Sequence, residues 1–124
     1  MTMSALVARA QPAFAAVQWE ATEGRSWFWA FTLTGVDLTG VTGVCEVYSA
    51  IEGDLLLSPT VTLVDLGGNV WQVEVTATPA QTSGKAAVGS SPRLCPFRVT
   101  LTDGTDQADI FGMQTSRLSI HQGP

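Results

Sequence analysis

The run Val70-Trp71-Gln72-Val73-Glu74-Val75-Thr76 alternates large apolar and polar side chains with a period of two. That period puts Trp71, Val73 and Val75 on one face of an extended strand and Gln72, Glu74 and Thr76 on the other. Phe97-Arg98-Val99-Thr100-Leu101-Thr102 repeats the pattern, so two strands of a half-buried sheet are predicted. Upstream, Val17, Trp19 and Ala21 alternate with Gln18, Glu20 and Thr22, which predicts a first strand ending at the turn Glu23-Gly24. The next strand, over 26–33, places Trp27, Trp29, Phe31 and Leu33 on one face. Phe28 and Ala30 make its other face unusually apolar for a solvated surface. A third strand is predicted over 44–48 and a longer fourth over 55–66, where Pro59 removes a ladder donor and marks an edge or a bulge. The last strands fall over 95–102, near 108–114, and at Leu118 and Ile120.

The segments between these runs carry turn chemistry. Val36-Asp37-Leu38-Thr39-Gly40 has Asp at the first and Gly at the fourth turn position, as a type I turn prefers. Gly53-Asp54 is a second turn, and Gly67-Gly68-Asn69 is a tight hairpin connection, because glycine and asparagine tolerate positive φ. Asp103-Gly104 closes another hairpin. Thr78-Pro79-Ala80-Gln81 combines a capping threonine, a proline at the first helical position and a glutamine three residues after the cap, with Gly84 placed to stop the turn. One short helical turn near 78–84 is therefore predicted, followed by an Ala, Gly and Ser-rich loop over 85–92. Seven to nine short strands at close spacing predict an all-β fold: a single antiparallel β-sandwich, Ig-like or jelly-roll-like, with a small barrel as the other closure of such strands.

At 124 residues the chain is one domain by length and can bury a core without staples. Hydrophobic residues make up 45% and charged residues only 14%, against ~25% in an average soluble domain. That balance points to large surfaces meeting other protein. The net charge is −5, and Arg9, Arg25, Lys85, Arg93, Arg98 and Arg117 are the only fixed cations, so no basic patch is available for a phosphate backbone and nucleic acid is excluded as a partner. No apolar run approaches the ~20 residues of a membrane helix. Ala13-Phe14-Ala15 imitates a small-residue cleavage site, but a basic start is missing and Arg9, Gln11 and Pro12 interrupt the apolar stretch. Residues 1–15 read as a retained, alanine-rich N-terminal arm ahead of a sandwich domain over 16–124.

Candidate chemistry is sparse. Cys45 and Cys95 share inward parity with Val47 and with Phe97, and read as small buried hydrophobes of a reducing cytoplasm, a bridge between them being the other option. With no Cys-x-x-Cys and no His partner, no zinc site and no cofactor is indicated. His121, the one histidine, reads as an exposed tail residue, and without a second base a serine or cysteine nucleophile has no activating partner. Asp103, Asp106 and Asp109 are spaced by three but lack the glycine and distal glutamate of a calcium loop. Glu20, Glu46 and Glu74 sit on polar strand faces, and no glycosidase pair can be placed among them. Trp19, Trp27, Trp29 and Trp71 all have inward parity, which favours an aromatic core over a sugar-stacking platform. Leu6, Val7 and Phe14 of the arm, with Phe28 and Tyr48 on outward strand positions, are the candidate contacts to a partner.

In order, Glu23-Gly24, the aromatic strand, Val36-Asp37-Leu38-Thr39-Gly40, the strand at Val44, the Gly-Asn turn into Trp71, Thr78 with Thr82, and Phe97 to Asp103-Gly104 match a layout common in tailed bacteriophages. Over roughly residues 23–120 the chain resembles the small β-sandwich of virion proteins related to the N-terminal domain of phage baseplate upper proteins, including the stand-alone forms in actinobacteriophages. The resemblance implies a non-enzymatic structural protein, an accessory subunit of the tail tip, baseplate or capsid surface, assembled in the host cytoplasm. Its partners would be other virion proteins and symmetry copies of itself, and the family supplies no catalytic residues to carry over. The loop over 85–92 departs from the family's usual short link. The tryptophans motivate the alternative, a carbohydrate-binding module that meets a host glycan.

Overall fold

The computed structural model describes residues 3–10, 18–50, 53–85, 93–111 and 117–122. Along these the chain forms α1 (Met3–Ala10), β1 (Gln18–Thr22), β2 (Trp27–Thr34), β3 (Thr42–Tyr48), β4 (Leu55–Leu57), β5 (Thr60–Gly67), β6 (Val70–Ala77), α2 (Pro79–Thr82), β7 (Arg93–Thr102), β8 (Gln107–Phe111) and β9 (Arg117–His121). The alternation that opened the sequence becomes β6, whose residues are in turn half-buried and buried along its whole length.

The strands make two sheets. One has six strands, in the order β1-β9-β7-β3-β4 with β8 also on β7, and the other has three, β2-β6-β5. β7 is ten residues long and serves two partners on one side, pairing Arg93 to Pro96 with β9 and Val99 to Thr102 with β8. Pairing is antiparallel except between β1 and β9, which run parallel with Trp19 opposite Leu118. The inner faces close on a single apolar core: Leu33, Val73 and Val75 from the smaller sheet meet Cys45, Val47, Phe97, Val99, Leu101, Leu118 and Ile120 from the larger one. The fold is thus an all-β sandwich with a short helical turn, as the spacing of strands and turns predicts.

The predicted strand over 55–66 is two strands in different sheets. β4 pairs with β3, β5 pairs with β6, and Ser58 and Pro59 lie between them. Proline cannot donate to a ladder, so the chain leaves the larger sheet there and enters the smaller. The Ser58 hydroxyl donates to the Cys45 carbonyl at 3.0 Å, and the Gln81 side-chain amide donates to the Ser58 carbonyl at 3.2 Å, which ties the crossing to β3 and α2. Where β5 lies over β3, a Cβ on Gly43 would stand 2.5 Å from Val61 Cγ1, so only glycine admits this close approach of the layers. The hairpin from β5 to β6 carries Gly67, Gly68 and Asn69 at φ of 88°, 63° and 60°, the left-handed geometry its composition predicts.

The capping box forms as written. The Thr78 hydroxyl accepts from the Gln81 N–H at 3.2 Å, and the Thr78 N–H donates to Gln81 Oε1 at 2.9 Å. Thr82, buried at the end of α2, donates to the Arg25 carbonyl at 2.8 Å and fastens the helical turn to the β1–β2 turn.

The N-terminus departs from the expected arm. Residues Met3–Ala10 are helical, and Met3 and Val7 are buried in the same core as the strands, with Leu6 half-buried beside them. α1 packs on β8, whose inward Ala108 and Ile110 are buried. Met3, Leu6 and Val7 recur at i, i+3 and i+4, the spacing of one helical face. Met3–Ala10 therefore packs against the sandwich core through β8 instead of standing off it as an arm.

Candidate functional site: an aromatic groove at the margin of the two sheets

β1 carries Trp19 to the outer margin of the larger sheet, and β2 forms the outer strand of the smaller one among the described residues. Their indoles meet there. Trp19 stacks on Phe97 with ring centroids 4.5 Å apart and an interplanar angle of 24°, and lies 5.4 Å from both Trp27 and Trp29. Trp19, Trp27 and Trp71 are buried as their parity predicts. Trp29 is not: 41% of it remains exposed. Parity sends its side chain toward the inner face, but it stands on a strand at the margin among the described residues, where the facing layer covers only part of the ring. Phe28, on the opposite face of β2, is 58% exposed.

Trp27, Phe28 and Trp29 line a surface groove of about 440 Å³ with Glu20. A second groove of about 350 Å³ adjoins it, sharing Glu20, Trp27 and Phe28 and adding Arg25, Ser26 and His121. His121 is a strand residue opposite Thr22 rather than a tail residue, and its Nε2 lies 3.5 Å from Glu20 Oε1 and 3.5 Å from the Ser119 hydroxyl. Ser, His and Glu are thus neighbours, yet both contacts fall on one ring nitrogen, and the Ser119 side chain is buried. A relay needs the acid on one nitrogen and the nucleophile on the other, so this trio is not a triad. The indole N–H of Trp27 is buried with no acceptor among the described residues.

The outer face of the larger sheet holds a polar ladder. Arg98 Nε and Nη2 both meet Glu46 Oε1, at 3.0 and 2.9 Å, across the paired strands β3 and β7. The hydrogen bond that Arg98 donates to Glu46 raises the Arg98 pKa further above its ordinary value. Thr100 donates to Asp109 at 2.8 Å, and a shallow groove of about 290 Å³ runs over Val44, Glu46, Arg98 and Asp109. Tyr48 lies half-buried at the end of this face.

Of the five expected partner contacts, Val7 is a core residue of its own chain and Leu6 is half-buried against that core, so helix packing takes them away from a partner. Phe14 lies outside the described residues. Phe28 and Tyr48 stand on outward faces as expected. The aspartates of the β7–β8 hairpin serve the turn: Asp103 accepts from the backbone N–H groups of Thr105 and Asp106 at 3.0 and 2.8 Å, which holds its carboxyl below the usual range. No cluster of three or more metal-ligating side chains is brought together among the described residues. Glu74 lies on the smaller sheet, while Glu20 and Glu46 belong to the larger.

Cys45 and Cys95 are both fully buried on inner faces, and both are thiols. Burial, with the Glu46 charge adding to it, pushes the Cys45 thiol from 9.0 up to about 12. The neutral thiol is thus favoured in the folded chain, so its contribution to stability is complete below about pH 9 and is lost as pH rises toward 12. In urea titrations, stability should fall between pH 9 and pH 11 less steeply in Cys45→Ala than in the wild type. A thiol reagent at pH 8 should label no cysteine in the native protein and both in denaturant; rapid native labelling would contradict the burial.

No protein-family model matches the chain, and no curated protein sequence matches it significantly. What the residues themselves define is a class, a two-layer all-β sandwich whose aromatic core breaks the surface at one margin.

Proposed function

We propose that this chain is a non-enzymatic structural protein of a tailed-phage virion, an accessory sandwich of the tail tip, baseplate or capsid surface that joins subunits. One observation carries the reading. The outer face and edge of the larger sheet display Val44, Leu55 and Leu94, each 47–56% exposed, around the Glu46–Arg98 pair. A solvated antiparallel sheet alternates apolar-in with polar-out, and large apolar side chains on its outer face mark contact with other protein. Tyr48, opposite Leu55 in the β3–β4 pair, extends that surface. The low charge of the chain supports the same reading, as does the resemblance of its turn layout to that of phage sandwich proteins.

On this reading a tailed phage encodes the chain, and the test uses its purified particles. Quantitative mass spectrometry of purified virions should find the wild-type chain at a fixed stoichiometry. Leu55→Asp combined with Leu94→Asp should reduce incorporation at least tenfold, while the isolated variant unfolds within a few degrees of the wild type. Absence of the chain from virions would overturn the reading, and undiminished incorporation of the double variant would overturn this surface.

The exposure of Trp29 favours a second reading, a carbohydrate-binding module, because it returns to the surface an aromatic ring that parity assigns to the core.

A further inference from the structure

We propose that the groove between β1 and β2 is a saccharide-binding site, in which a pyranose ring stacks on Trp29 and its hydroxyls meet Glu20, Arg25 and His121. This gives the second reading a place and a ligand class, and it stands independently of whether the chain is a virion subunit.

Three features lead to this ligand. The first is an anchored aromatic surface. Trp29 rests against Trp19 at 5.4 Å and still exposes 41% of its area, and Phe28, on the opposite face of the margin strand β2 but lining the same groove, exposes 58%. A ring held by a second indole has little freedom to lose when a ligand covers it, so contact area is converted to affinity at low entropic cost. The second is size. The groove of about 440 Å³, with the adjoining 350 Å³, falls in the ~300–1,000 Å³ range of small-molecule sites.

The third is the polar rim, which discriminates between ligand classes. Rings beside a lone carboxylate would suit a cation. Here the Glu20 carboxylate, common to both grooves, borders the adjoining one with Arg25, His121 and Ser26, so acceptors and donors of both signs lie beside Trp27 and Phe28, next to the groove that Trp29 lines. A cation would meet Arg25, and an anion would meet Glu20. A neutral ligand with an apolar ring face and a fringe of hydroxyls satisfies every group: the hydroxyls donate to Glu20 and accept from Arg25 and Ser26. Glu20 and His121 are 68% and 43% exposed at their side chains and lie 3.5 Å apart, so both are reachable from the same side.

The experiment titrates the isolated full chain with cellotetraose and with chitotetraose, reading tryptophan emission and acrylamide quenching. Expected is a saturable change with at least one oligosaccharide and protection of the most quenchable tryptophan. Phe28→Ala and Trp29→Ala should each weaken binding at least tenfold, and Glu20→Gln severalfold. Trp29→Phe, which keeps a ring against Trp19, should retain partial binding and guards against loss of the fold in Trp29→Ala. No saturable change with either oligosaccharide would overturn the site, as would binding that survives both aromatic truncations. If Trp29 is protected without sugar and becomes quenchable on dilution, the groove is an interface between copies, and the proposal also falls. Virion incorporation is not read here, so failure of the structural reading leaves this result intact.

Discussion

Truncating Phe97 to alanine is expected to remove about 3–5 kcal/mol of stability, as for large-to-small changes at aromatic core positions. Phe97 is fully buried, stacks on Trp19 at 4.5 Å and sits opposite Val47 in the β3–β7 ladder. It also occupies the point on β7 where the partner on one side changes, between Pro96, the last residue paired with β9, and Val99, the first paired with β8. The remaining wall cannot collapse easily, because Trp19 is itself pinned between Trp27 and Trp29. Against a total of about 5–15 kcal/mol, such a loss takes the domain close to its unfolding threshold. Urea unfolding followed by tryptophan emission measures it. Phe97→Leu, which retains more volume, should lose clearly less, and a loss under about 1 kcal/mol for the alanine variant would show that the stack does not support the core.

Val7→Asp should be of similar severity. Val7 is fully buried among α1 and the strands, and an isolated carboxylate there is desolvated with nothing supplied to pair it. A cost of about 4 kcal/mol or more belongs to the short list of severe mechanisms that includes burial of an unpaired charge. The isolated variant should bind a hydrophobic dye and lose its cooperative transition, whereas Phe28→Ser, on a 58% exposed position, should unfold like the wild type. An arm that met only a partner would tolerate Val7→Asp in isolation, so unchanged stability would restore that picture of residues 1–15.

Local chemistry was legible in the sequence wherever a residue type is tied to one backbone state. The Gly67-Gly68-Asn69 hairpin and the Thr78 capping box form where their residues call for them. At Asp37 the carboxylate accepts from the Thr39 N–H and hydroxyl at 3.0 and 2.7 Å, but the backbone turn closes one residue later than its composition predicts, from the Val41 N–H to the Leu38 carbonyl, with Gly40 third in it at φ 76°. Strand parity was legible too, since Val73, Val75, Val99 and Leu101 are fully buried as the period of two requires. Pro59 marked a break, but whether the chain bulged or changed sheets could not be read, because that depends on where β3 and β6 offer free edges. Met3, Leu6 and Val7 carried a helical period in a stretch whose alanine content and interrupting Arg9 and Pro12 suggested an arm. Eight residues of such a pattern are marginal alone and fold only where a surface such as β8 needs covering.

The candidate site was the least legible part. Parity gives the side of a strand a residue occupies, and on that criterion Trp29 matches Trp27. Exposure also depends on whether the facing layer extends that far, and only the placement of β1 and β2 at the margin of the sandwich leaves Trp29 uncovered beside Glu20. The sequence by itself thus determined the strands, their inward faces and their turns, which follow from interactions over a few residues. The tertiary structure alone decided the parallel β1–β9 pairing, the crossing at Pro59, the helix in the core and the open aromatic groove. Each of these is a contact between segments distant in the chain, whose register no local pattern encodes.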